Sequence, residues 1–220
     1  MIETADGWEA LMGGTWLDPA IRVRHSGAMH LTPLLVSTLS NQLNAVSGWL
    51  AKAEAFAAER GENPDRLLAL RLAPDMFPLT TQLRFLAFQA QEPVYRLRGV
   101  ALPEALLQVR QEGRDGGERP GAWPEACARV EDAARFLATV GPDELDSAAG
   151  KPVAHELPNG MIFDMTGGQY VRDWALPQVA FHQMIAYALL RQAGVPLGKV
   201  DFVPHMFAYI RPGTAPAGAN

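Results

Sequence analysis

A single cysteine, Cys127, stands among 220 residues, so no intrachain disulfide can form and nothing calls for an oxidising compartment. Long apolar runs are also missing. No stretch could span a bilayer, and no basic start leads into an apolar segment of signal-peptide length. Positive charge is sparse and scattered: 19 Lys and Arg face 24 Asp and Glu, for a net charge of −5. Without clustered cations the chain cannot neutralise a phosphate backbone or an anionic lipid surface, which argues against nucleic-acid and membrane partners. Histidine is scarce too, with only His25, His30, His155, His182 and His205, and no His-x-x-x-His pair to place two imidazoles on one helical face. These absences together predict a cytoplasmic protein that works in a reducing environment.

What remains is ordinary globular material, 48% apolar and 20% charged, enough for one domain with a substantial core. Residues 1–28 lack any sustained period and are set apart as an N-terminal extension. From Thr32-Pro33, Leu35, Leu39, Leu43, Val46, Leu50 and Ala53 recur three or four apart, predicting a helix that ends at Gly61. Asn63-Pro64 opens a short helix to about Leu72. Pro78 begins a second long helix striped by Leu79, Leu83, Leu86, Ala90 and Val94, with Pro93 expected to kink or shorten its last turns. Residues 99–122 read as a loose connection containing the short apolar piece PEALLQV and the solvent-exposed GRDGGERPG.

Pro124 opens a third long helix to about Val140, in which Cys127 shares a stripe with Val130, Ala134 and Leu137 and reads as a small buried hydrophobe. The period then changes. VAHEL and MIFDM, joined through Pro158-Asn159-Gly160, predict a small β-hairpin. Thr166-Gly167-Gly168 leads into the fourth long helix, Gln169 to Gln192, which Gly194 and Pro196 terminate. Residues 204–220 read as a flexible tail. The predicted fold is mainly α: a four-helix bundle with a short extra helix and a small β-hairpin before the last long helix.

Three segments carry a resemblance to a known group: LAKAEAFAAERG (Leu50 to Gly61), LRLAPDMFPLTTQ (Leu70 to Gln82) and FHQMIAYALLRQAGVPLGKVDF (Phe181 to Phe202). Over residues 29–203 the chain resembles the DinB-like (DinB/YfiT-like) superfamily of four-helix bundles, within a bacterial branch of domains of unknown function. The resemblance implies a bundle whose helix ends meet at a polar pocket. In many members three histidines hold a divalent metal there, and some are thiol-dependent transferases or isomerases. This chain departs from that pattern, because only His182 lies in a matching long helix. No metal site is predicted; a divalent-metal-dependent or thiol-dependent transferase stays a lesser alternative.

The polar residues inside the two motifs define the candidate pocket. Asp75, Leu79 and Gln82 are spaced to share one face if the second helix starts early. Trp174, Gln178 and His182 share a face of the last helix. A carboxylate, an imidazole and two amides would then converge in an apolar bundle, and an imidazole beside a carboxylate is a plausible general base. The plainer reading is structural. Gln82 and Gln178 would satisfy carbonyls freed by Pro78 and Pro177, Asp75 would cap the helix containing Pro78, and His182 would be a hydrogen-bonded core residue. Two functions follow, a small-molecule pocket around His182 or a non-catalytic bundle that homodimerises or binds a protein through spare apolar residues such as Trp8, Trp16, Trp49, Phe56 and Phe207. Whether the chain is an enzyme is left open.

Overall fold

The computed structural model describes residues 30–157, 160–212 and 214. The N-terminal extension with Trp8 and Trp16, the Pro158-Asn159 part of the hairpin turn and the last residues of the expected tail lie outside these.

Helix α1, Leu31–Glu59, buries the anticipated stripe of Leu35, Leu39, Leu43, Val46, Leu50 and Ala53. Its first turn is not capped locally. The Asp146 carboxylate instead accepts from the Thr32 amide and hydroxyl, both at 2.8 Å, and from His30 Nδ1 at 2.6 Å. A carboxylate at a helix N-terminus satisfies orphan amides and opposes the dipole, and these bonds hold Asp146 below the usual carboxylate range.

A 3-10 turn, Pro64–Ala69, leads to helix α2, Leu79–Arg98, which is the centre of the bundle. Pro93 is buried inside α2, yet the helix runs on to Arg98 rather than stopping. Helix α3, Glu104–Asp115, occupies most of what the sequence suggested was a loose connection. The glycines that made this stretch look like a loop are packing devices. A Cβ on Gly113 would sit 2.6 Å from the Phe85 ring, and one on Gly116 would sit 2.7 Å from Thr81 Oγ1. Glycine there lets α3 lie close against α2.

Helix α4, Trp123–Leu137, is held at its start by the Trp123 amide donating to Asp65 at 2.6 Å. Strands β1, Pro152–Glu156, and β2, Ile162–Thr166, form the expected antiparallel hairpin with Val153 opposite Met165 and His155 opposite Phe163. The last rod has three parts. A single turn, α5 (Gly167–Gln169), is capped by Thr166, a π-helical turn covers Tyr170–Ala175, and helix α6 runs Leu176–Gln192. In the π turn the Leu176 amide reaches Val171, five residues back, which inserts an extra residue just before Pro177.

Past Gly194, at φ +96°, helix α7 (Lys199–Phe202) folds back on α1. Trp49 Nε1 donates to the Asp201 carbonyl at 2.8 Å and its ring stacks on Phe202, and Asp201 pairs with Lys52. Trp49 is therefore core, not spare surface. The start of the expected flexible tail, Pro204–Tyr209, is a 3-10 helix. No helix among the described residues is long and apolar enough to cross a membrane.

Candidate functional site

A cleft of about 330 Å³ opens between α2, α3, the hairpin and the start of α6. That is within the range of small-molecule sites, about 300–1,000 Å³. Aromatic rings form much of its wall: Phe85 and Phe88 from α2, Trp174 from the π turn and Phe181 from α6. His182 sits between Phe85 and Phe181, with both ring centroids 5.3 Å away, and is 8% exposed.

His182 is tied to α2 by one hydrogen bond, Nδ1 to Gln82 Oε1 at 2.9 Å. The Gln82 amide group donates in turn to the Phe77 carbonyl at 3.1 Å, the carbonyl that precedes Pro78. This fixes the chemistry of the ring. An amide whose NH₂ faces a carbonyl must offer its oxygen to the imidazole, so Nδ1 carries the proton and Nε2 is the acceptor. Burial among aromatics, with no carboxylate beside it, pushes the His182 pKa down to about 4. At neutral pH it is an uncharged imidazole, and Nε2 has no protein partner among the described residues.

Asp75 is not part of this arrangement. It lies exposed in the turn before α2, does not line the cleft, and provides no side-chain cap to that helix, whose N-cap position is Pro78. The backbone enters α2 only at Leu79, so Asp75 never acquires the helical phase that would align it with Gln82. Gln82 is buried behind His182 as its support. Gln178 and Trp174 line the cleft, and Gln178 makes no hydrogen bond among the described residues, so it does not satisfy a carbonyl freed by Pro177.

Several cleft residues were not anticipated. His155 comes from β1, where it alternates inward with Val153, a pattern already visible in VAHEL. It packs on Trp174, with ring centroids 4.6 Å apart, and burial with the nearby Arg96 charge pushes its pKa down to about 4. From α2, Glu92 is almost wholly buried and receives Arg96 through Nε at 2.9 Å and a terminal nitrogen at 2.7 Å. Desolvation raises the Glu92 pKa against the opposing pull of Arg96. Behind them the Tyr170 phenol is pushed well above its ordinary value by burial. Its hydroxyl has no hydrogen-bond partner among the described residues, although the Arg96 charge acts on it. Gln89 Oε1, Trp174 Nε1 and His155 Nδ1 are likewise buried without partners.

The described residues do not assemble a three-histidine metal site. Among the described residues no group of three or more His, Cys, Asp or Glu side chains is placed to hold a metal ion. Cys127, on α4, is half-buried, and its thiol is pushed up to about 11 mainly by burial, which leaves little thiolate at neutral pH. A second groove, lined by Val200, Val203, Met206, Phe207 and Ile210, is apolar and has Lys199 as its one charged residue.

Four long helices, a hairpin before the last of them and a largely aromatic cleft beside it define a DinB-like bundle. The chain is similar to the crystal structure of a DinB family member protein from Shewanella denitrificans, with a TM-score of 0.65 and 27% identity over 84% of this chain and 96% of that one. The profile of DUF1993, a domain of unknown function, matches residues 31–203, and the chain belongs to that family. No curated protein matches it.

Proposed function

We propose that this DinB-like domain binds a small molecule in the cleft beside His182, without a three-histidine metal site. The reading is carried by one observation: Gln89 Oε1, Trp174 Nε1 and His155 Nδ1, all on cleft-lining residues, are buried polar atoms with no partner. Each such atom costs about 1–3 kcal/mol in a folded protein, and three of them on the lining of one cleft suit a site that a ligand completes. His182 Nε2 would add an acceptor for a ligand N–H or O–H. A base with a pKa near 4 is poorly matched to proton abstraction at neutral pH, so binding is favoured over acid–base catalysis.

The test is a fragment screen by saturation-transfer NMR on the wild type and on Gln89→Leu. Hits should contact the wild type and lose at least most of their signal in the variant, while the variant melts at or above the wild-type temperature. A variant that melts well below the wild type, with hits retained, would show that Gln89 serves the core and not the site.

A second reading, self-association, is favoured by the exposed Val200, Met206, Phe207 and Ile210 on the C-terminal segment. Light scattering across a dilution series addresses it. A mass fixed at that of one chain would remove it.

A further inference from the structure

Resting on that cleft as the binding site, we infer that its ligand is an amphipathic monoanion: a flat apolar body bearing one carboxylate, the carboxylate held by Arg110 and Arg114 of α3. The charge inventory of the cleft leads there. Its acidic groups are Glu92 and Glu156, and its basic groups are Arg96, Arg110 and Arg114. His155 and His182 are uncharged at neutral pH. Arg96 and Glu92 are joined through two hydrogen bonds, and Glu92 also feels the Arg110 charge without a hydrogen bond to it. Arg110 and Arg114, four apart on one face of α3, make no hydrogen bond or ion pair among the described residues. Glu156 offsets one of these two charges and leaves a surplus of one positive charge at the mouth.

Shape and chemistry select the rest of the ligand. Phe85, Phe88, Trp174 and Phe181 present rings, which favour a planar body. The Arg110 guanidinium already lies over the Phe88 ring, 5.4 Å from its centroid, so a cationic ligand would find that face taken and two like charges beside it. A neutral ligand would leave both guanidiniums without an anion to hydrogen-bond. A carboxylate meets their planar donor geometry and cancels the surplus.

Three matched probes separate these cases: 2-naphthoate, 2-naphthamide and 2-naphthylmethylammonium. Affinity is read by calorimetry and site occupancy by the ¹⁵N-histidine signals of His155 and His182. The acid should bind about tenfold tighter than the amide, with the ammonium weakest. Arg110→Gln with Arg114→Gln should erase the preference for the acid while leaving the amide affinity unchanged within about twofold. Arg114→Gln alone, at an exposed position on α3, should reduce the preference and serves if the double variant does not fold. Equal affinity for acid and amide, a preference for the ammonium, or a preference that survives in the arginine variants would overturn the inference while leaving the cleft as a binding site. If none of the three shifts the two histidine signals, the inference and the site fall together.

Discussion

His182 and Gln82, one hundred positions apart, meet through a 2.9 Å hydrogen bond that joins the last helix to the entrance of α2. The same glutamine holds the carbonyl before Pro78, so one amide both secures the start of a helix and sets the tautomer of the ring.

Replacing that amide with an acid should change the ring's charge. In Gln82→Glu a carboxylate would stand beside His182, and an adjacent negative charge favours the imidazolium. The His182 pKa should rise from about 4 to above its ordinary value of 6.5. A pH titration of its ¹⁵N signals measures this directly, and an unmoved midpoint would mean the contact does not exist in solution.

Removing the amide should cost stability. Gln82→Ala leaves the His182 N–H and the Phe77 carbonyl without partners, which predicts a loss of about 1–3 kcal/mol. Chemical denaturation gives the value. A variant as stable as the parent would mean water replaces the side chain freely.

Stability should fall as pH drops from about 6.5 to about 4. In the unfolded chain both cleft histidines take up protons near 6.5, whereas folded His155 and His182 resist until about 4. Between those values the unfolded state binds more protons, so acid favours unfolding. Glu92 opposes this, since its raised pKa makes the fold bind its proton more readily. Below that window the carboxylates held low, among them Glu112 and Asp201, add their own loss. His182→Gln should flatten the slope of unfolding free energy between pH 6.5 and 4.

Gly167→Ala should be among the most damaging small substitutions. A Cβ there would overlap the Ala148 carbonyl, which is backbone and cannot rotate away. Overpacking of this kind costs about 1–3 kcal/mol. It should lower the melting temperature, whereas Gly150→Ala, where a Cβ meets nothing within 4 Å, should be nearly neutral.

Much of the bundle was legible because apolar spacing reports which helix face is buried, as the stripe of α1 illustrates. The hairpin was legible because VAHEL alternates at a period of two. Helix α3 was hidden because Gly113 and Gly116, chosen for close packing on α2, carry the same signal as a turn. At the site, His182, Gln178 and Trp174 share the cleft as their helical spacing suggests, and Gln82 reaches it through His182. Asp75 was misplaced because Pro78 delays the helix, and spacing means nothing before the helix begins. Glu92 and Arg96 went unnoticed, although a Glu four residues before an Arg on a helix is a recognised pairing pattern. Their burial depends on α3 and the hairpin closing over them, which no local pattern records.

The additional residue in the π turn also acts as an angular offset between the two ends of the last rod. Each α-helical residue advances about 100° around the axis, so one residue more or fewer turns everything beyond it by roughly a quarter of a circle. Shortening Tyr170–Ala175 by one position would restore an unbroken α-helix, yet turn His182 relative to everything upstream, the hairpin with His155 included. The irregular turn is what lets one imidazole before it, His155, and another beyond it, His182, border the same opening.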